Sequence, residues 1–287
     1  MIIAIASGKG GTGKTTVATN LALVMSGEGD LQFLDCDVEE PNAHLFLKPE
    51  LVSSEPVSIP VPRVDLERCN YCGICAEVCA FNAIMVGKET VLVFEQLCHG
   101  CGGCTYFCPE KAISEFDRPI GVLESGTAGA ISFIHGKLNP GEALSPPLIK
   151  AVKDKIDPAA EGLTIIDAAP GASCPVVEAI RGSDYCLLVT EPTPFGLNDL
   201  VIAVELLQKL GIPGGVVINR SLGGEGEEQI ETYCREEEVP IILKMPWDRE
   251  LAALYARGEP AVTHLDGWRN VFRELGRRIL EDEGRAR

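Results

Sequence analysis

The stretch Ser7-Gly8-Lys9-Gly10-Gly11-Thr12-Gly13-Lys14-Thr15-Thr16 constrains this chain more than any other, because it follows an apolar run over residues 1–6 and opens a segment of helical apolar periodicity. Four glycines let the backbone curl around an anion until its N–H groups, and the helix N-terminus behind them, converge on phosphates. Lys14 supplies a point charge for the β- and γ-phosphates, and Thr15 a hydroxyl for Mg²⁺. The spacing Gly8-x4-Gly13-Lys14-Thr15 between strand and helix predicts a nucleotide-phosphate loop.

The rest of the chain supplies the sheet that such a loop needs. Residues 2–6 and 31–35 read as buried parallel strands joined by a helix over 14–25. The pattern resumes at 163–167, 185–190, 214–219 and 240–243, with helix-like stretches at 145–155 and 196–210. Strands alternating with helices imply an α/β fold, a mostly parallel sheet with helices on both faces. Residues 55–62 are proline-rich and extended, which looks like an exit from the first domain, and 113–116 and 120–123 suit short strands. The pattern on either side of the intervening segment belongs to one sheet. Residues 1–60 and 112–287 are therefore expected to form one discontinuous domain, with 61–111 inserted.

The insert carries eight of the twelve cysteines. They form two blocks, Cys69-x2-Cys72-x2-Cys75-x3-Cys79 and Cys98-x2-Cys101-x2-Cys104-x3-Cys108-Pro109. This is the spacing of a small α+β bacterial ferredoxin with two [4Fe–4S] clusters, in which the fourth cysteine of each block ligates the other cluster. The expected ligand sets are Cys69, Cys72, Cys75 and Cys108 for one cluster, and Cys98, Cys101, Cys104 and Cys79 for the other. Zinc is the competing metal, but zinc sites favour two CxxC pairs or a histidine. Of the other cysteines, Cys186 and Cys234 read as small core residues, and packing is the leading reading for Cys36 and Cys174 as well.

Lys9, a second lysine near the start of the loop, makes it resemble the deviant phosphate loop of the MinD/ParA group of ATPases. The resemblance implies that Lys9 reaches across a face-to-face homodimer, formed on ATP binding, to the phosphates held by the other subunit. Other stretches match in the same order. Asp35-x-Asp37 resembles the first switch, implying that Asp37 activates the attacking water and that Asp35 sits near the Mg²⁺ shell. Ile165-Ile166-Asp167-Ala168-Ala169-Pro170-Gly171 resembles the second switch, with Asp167 holding Mg²⁺ and Gly171 near the γ-phosphate. Asn219 resembles the residue that reads the adenine edge, and Pro246 lies in a stretch like the loop over the base. The resemblance covers body and insert together, and implies ATP or ADP with Mg²⁺ as ligands and Lys9, Lys14 and Asp37 as the groups that promote hydrolysis.

The formal charge of −17 lacks the cationic footprint that nucleic acid or anionic lipid requires. No long apolar run or N-terminal signal interrupts the pattern, so a cytoplasmic protein without stable membrane insertion is expected. Residues 266–281 place apolar side chains at helical spacing and read as a helix docked on the body; Arg277, Arg278, Arg285 and Arg287 leave it some basic character. The leading functional reading is an ATPase that couples nucleotide state to electron transfer with a redox partner. The alternative is an iron–sulfur cluster carrier serving an apo-protein acceptor, and a MinD-like positioning ATPase stands third.

Overall fold

A computed structural model describes residues 1–27, 29–157 and 162–286. Arg285 and Arg287, two of the basic residues noted in the terminal helix, lie outside the side chains described. The first half contains β1 (Ile2–Ala6), α1 (Lys14–Met25), β2 (Leu31–Cys36), α2 (Ala43–Leu47), β3 (Glu50–Val64), α3 (Ile74–Glu77), β4 (Ile84–Val86), β5 (Val91–Val93), α4 (Gly103–Phe107), β6 (Ile113–Ala128) and β7 (Ile131–Leu138). The second contains α5 (Pro146–Lys153), β8 (Leu163–Ala168), α6 (Cys174–Ile180), β9 (Tyr185–Thr190), α7 (Pro194–Leu210), β10 (Gly214–Ser221), α8 (Glu225–Glu236), β11 (Ile241–Pro246), α9 (Arg249–Ala256), α10 (Ala261–His264) and α11 (Asp266–Ala286).

Nine strands form one sheet in the order β11-β10-β9-β1-β8-β2-β7-β6-β3. From β11 to β7 all neighbours are parallel, and β6 and β3 add an antiparallel edge. The parallel strands are apolar and buried on both faces because helices cover both. One face packs under α5, α6, α7 and α8 through Leu148, Val176, Leu200 and Ile230; the other packs under α1 and α11 through Val17, Leu21, Phe272 and Leu275. Local signals bound the helices. In α7, Pro194 opens the first turn, the Thr193 hydroxyl accepts from the Gly196 N–H, and Gly211 closes it at φ 65°.

The antiparallel edge corrects the expectation for residues 55–62. They do not leave the sheet but form the middle of β3, whose fifteen residues pair along the sixteen of β6. Pro56, Pro60 and Pro62 are tolerated because β3 is an edge strand and needs no N–H on its outer side. The two short strands expected at 113–116 and 120–123 are likewise one strand. Pro119 does not break it, because β7 ends opposite Gly121 and leaves that side of β6 unpaired beyond it. The ribbon β3–β6 thus runs out past the sheet and carries the cysteine module at its far end. In the terminal helix α11, Trp268, Phe272, Leu275 and Ile279 are buried against the body.

Candidate functional site

The carboxyl ends of β1, β2, β8, β9 and β10 meet at one place, where open α/β sheets bind ligands. The loop after β1 enters α1 through Gly13, which has φ 97° and no side-chain cap. The first N–H groups of α1 are therefore free to meet an anion. Only glycine serves at 13: its conformation is left-handed, and a Cβ there would lie 2.4 Å from Asn219 Nδ2.

Around this loop lies a cavity of about 300 Å³, lined by residues 10–16, Asp37, Pro170, Asn219, Arg220 and the segment from Pro246 to Tyr255. The Thr15 hydroxyl donates to Asp167 Oδ2 at 2.6 Å. Lys14 Nζ stands 3.7 Å from Asp37 Oδ2 and 3.9 Å from Asp167 Oδ1. Thr12 Oγ1 and Asp167 Oδ1 are buried without a hydrogen-bond partner. A buried polar atom without a partner is costly, and a phosphate with its Mg²⁺ would satisfy both. Burial pushes the Asp167 carboxyl above its ordinary range, against Lys14 and the Thr15 hydroxyl. Asp37 is pushed up to about 6, by burial first and by the neighbouring carboxylates, with Lys14 opposing.

Asp35 departs from its expected place. Its Oδ1 accepts from the Asp37 N–H at 3.1 Å, and its Oδ2 from the N–H groups of Asn42 and Ala43 at 3.1 and 3.0 Å. It does not line the cavity. The buried carboxylate holds the turn that presents Asp37 instead of facing a metal. Gly171 also lies back from the cavity, tied by its N–H to the Ser7 carbonyl, while Pro170 lines it. Asn219 Nδ2 donates to the Thr12 carbonyl at 2.7 Å, so this residue braces the phosphate loop as well as lining the cavity. Pro246 is on the cavity wall as expected.

Lys9 points to a residue that sequence reasoning missed. Its ammonium pairs with Glu191 at the end of β9, and the other Glu191 oxygen accepts from Arg220 at 2.7 Å. Burial would raise the Glu191 carboxyl, but the two cations outweigh it and hold it below its ordinary range. Arg220 itself adopts φ 56°, unusual for a side chain of this size. The only signal in the sequence was the stretch Glu191-Pro192-Thr193-Pro194, and spacing alone did not connect it to a lysine 182 residues away.

The module at the end of the ribbon has an internal repeat in its backbone. Tyr71, Gly73 and Asn82 have φ of 59, 84 and 53°, and Gly100, Gly102 and Lys111, in the equivalent places of the second block, have 64, 72 and 49°. Backbone N–H groups point at sulfur in the same repeated way. Tyr71 and Gly100 donate to Cys69 and Cys98 two residues back, and Ala83 and Ala112 donate to Cys79 and Cys108 four residues back. One small cavity is bordered by Cys69, Cys72, Cys75 and Cys108, and a second by Cys79, Cys98, Cys101 and Cys104. Burial pushes the thiols of Cys75, Cys98 and Cys104 up; for Cys98 the Gly100 N–H and the Arg118 guanidinium oppose it. Among the described residues, no three His, Cys, Asp or Glu side chains converge as a single metal ion would need. Cys36, Cys186 and Cys234 are buried, and Cys174 is exposed at the start of α6.

A glycine-rich loop opening a helix at the carboxyl edge of a parallel sheet, with a lysine, a hydroxyl and carboxylates converging there, defines a P-loop nucleotide-binding protein. The chain belongs to the CobQ/CobB/MinD/ParA nucleotide binding domain family, whose profile matches residues 3–261. It is a P-loop ATPase of the MinD/ParA type. It is 30% identical over 282 residues, 98% of each chain, to the uncharacterized protein MJ0579 of Methanocaldococcus jannaschii. Among solved structures it resembles the cell division ATPase MinD of Pyrococcus furiosus (24% identity, 98% of each chain, TM-score 0.58). It also resembles the septum site-determining protein MinD of Pyrococcus horikoshii complexed with Mg-ADP (20% identity, 96% of this chain and 93% of that one, TM-score 0.59). At these identities the solved structures support the fold. Among the described residues no helix is long and apolar enough to cross a membrane.

Proposed function

We propose that this chain is an ATP-hydrolysing homodimer in which nucleotide state controls electron transfer through two [4Fe–4S] clusters held by residues 61–111. The observation that carries this reading is the crossed sorting of eight cysteines into two cavities of four, each taking three from one block and the last of the other. A cubane binds its thiolates at separate corners, so the sulfurs need not converge on one point as they must around zinc. The N–H groups donated to Cys69, Cys79, Cys98 and Cys108 suit thiolates, whose charge they would stabilise. Such clusters supply one-electron chemistry, exchanged with a redox partner outside the chain.

At the other site the N–H groups of residues 10–16 and Lys14 would bind the phosphates, with Thr15 and Asp167 holding Mg²⁺. Asp37, on the cavity wall, would orient or deprotonate the water that attacks the γ-phosphate. Asn219 and the Pro246 loop would enclose the base. Lys9, released from Glu191, would reach the phosphates of a second copy. All twelve cysteines are free, which suits a reducing, cytoplasmic setting.

A MinD-like positioning role is the second reading, favoured by the solved structures this fold resembles. A membrane-binding terminal helix would need a free apolar face, whereas α11 spends Trp268, Phe272, Leu275 and Ile279 on the core. Anaerobic purification, iron and sulfide analysis, and redox spectroscopy with and without Mg-ATP test the proposal. About eight iron per chain, with reduction that depends on ATP, is expected. Absence of iron refutes it and leaves the positioning role. Transfer of intact clusters to an apo-acceptor identifies a carrier instead.

A further inference from the structure

Beyond Gly121 the strand β6 loses β7 as a neighbour, and only the β3–β6 ribbon continues toward the cysteine module. A two-stranded ribbon is marginal by itself, so its direction depends on whatever grips its root. The grip comes from the segment linking β7 to α5. Asn139 donates its backbone N–H to the Ile120 carbonyl at 2.9 Å and its side-chain amide to the Pro119 carbonyl at 3.2 Å. Glu142 forms an ion pair with Arg118, and one of its oxygens also accepts from the Leu144 N–H.

The same segment is fastened at its other side to the loop that carries Asp37. Leu138 donates to the Val38 carbonyl at 2.9 Å, and the Ser145 hydroxyl donates to Glu39 Oε1 at 3.0 Å. Val38 packs so closely on Gly136 that a Cβ there would lie 2.7 Å from Val38 Cγ1. At the ribbon, Arg118 and Asp117 lie opposite Ile59 and Pro60. Gly100, between two ligands of the second cysteine cavity, packs on those residues, its site for a Cβ only 3.1–3.2 Å from them. Pro60 and Pro62 line that cavity, whereas the first is lined by Val64, Ala112 and Ile113, nearer the tip of the ribbon.

We propose that residues 138–145 are a strut transmitting the position of the Asp37 loop to the root of the β3–β6 ribbon, so that nucleotide binding repacks the Cys98 cavity before the Cys69 cavity. The inference rests on the coupling assigned above and supplies its physical route. Phosphate and Mg²⁺ act on Asp37; Val38 and Glu39 move with it; the strut carries the shift to residues 117–120, and their partners across the ribbon, Ile59 and Pro60, bear on Gly100. Packed elements of this kind switch between discrete arrangements instead of deforming smoothly.

Amide hydrogen exchange on the full-length protein, with and without a non-hydrolysable ATP analogue and Mg²⁺, reads the strut directly and needs no cluster. In the natural chain the analogue is expected to change exchange at residues 117–121 and 138–145. Ser145→Ala removes the bond to Glu39 and should cut the response at 117–121 about fivefold, the worth of one hydrogen bond. Ser145→Thr keeps the hydroxyl and should retain the response. Glu142→Gln weakens the opposite end and should reduce the same response with ATP turnover unchanged. In iron-loaded protein, a chelator should strip the Cys98 cavity at a rate that depends on nucleotide in the natural chain and far less in Ser145→Ala. Exchange at 117–121 that ignores nucleotide, or that responds equally in Ser145→Ala, overturns the strut. A protein that holds no iron overturns the cluster reading instead, while the exchange result still decides on the strut.

Discussion

The nucleotide site and the cysteine module are built by opposite means. The first gathers Lys14, Asp37, Asp167 and Asn219 from more than two hundred residues of chain, and it exists only because the sheet aligns the strands that carry them. Its charged groups are buried, and the sheet and helices around it hold them there. The module draws its eight cysteines from forty residues, and its helices α3 and α4 bury no side chain. Its buried apolar residues, Ala83, Ile84, Ala112 and Ile113, are few. A unit with so small a core is normally stapled by metal or disulfide. One region is therefore organised by the fold, and the other would be organised by what it binds.

That contrast can be broken most decisively at Cys79. It sits in the first block but borders the second cavity, so Cys79→Ser should remove the cluster shared with Cys98, Cys101 and Cys104. Iron should fall from about eight to about four per chain, while ATP binding, measured by titration, persists. Loss of both clusters, or of neither, would contradict the crossed pairing. Next, Lys14→Ala should weaken nucleotide binding by on the order of a hundredfold, measured with a fluorescent analogue, and leave iron content unchanged. Lys9→Ala should leave both iron content and nucleotide binding near normal but abolish the ATP-dependent shift to a dimer in gel filtration.

A smaller effect follows from the raised carboxyl of Asp37. In its proposed role as base it works only when ionised, so turnover should fall as pH drops through about 6. For stability the sign is the reverse. A carboxyl raised from 3.8 to about 6 on folding favours the nucleotide-free fold fully below pH 3.8, and this contribution is lost as pH rises through about 6. Asp37→Asn should lower turnover and remove the Asp37 share of the pH dependence of stability, read as rate and melting temperature against pH, while the raised carboxyls of Asp35 and Asp167 keep theirs. The smallest change is expected for Cys186→Ala, a buried thiol in β9 away from both sites. It should lower stability by about 1 kcal/mol without altering iron or nucleotide binding. Any loss of iron would blur the line between structural and ligating cysteines.

The phosphate loop and the cysteine blocks were legible in the sequence because their chemistry is carried by short spacings. Gly13, Lys14 and Thr15 can hardly do their work at another separation, and the x2, x2, x3 rhythm returns in the structure as a repeated set of backbone turns. The alternation of apolar runs likewise sufficed for the seven parallel strands, apart from β7, whose segment Ile131–Leu138 is broken by His135 and Gly136. What lay outside the sequence was pairing at long range. Prolines in residues 55–62 argued for an exit, and only the partnership with β6 makes them an edge strand. Asp35 and Asp37 are chemically alike and two residues apart. The loop's own N–H groups claim one, and the cavity receives the other, because β2 ends at Cys36 and the chain beyond it folds back to set the N–H groups of Asn42 and Ala43 on Asp35, leaving Asp37 outside the strand.

By itself, then, the sequence determined that this chain has a nucleotide-phosphate loop on a parallel sheet and two quartets of cysteines. Local backbone conformation and ligand spacing are properties of neighbouring residues, so those features survive without a tertiary context. Only the tertiary structure decided that Glu191 holds Lys9, that Asp35 braces the turn after β2, and that the ribbon bearing the cysteines is tied through Asn139 and Ser145 to the loop bearing Asp37. These are contacts between distant segments, set by which strands lie side by side, and no periodicity along the chain encodes them.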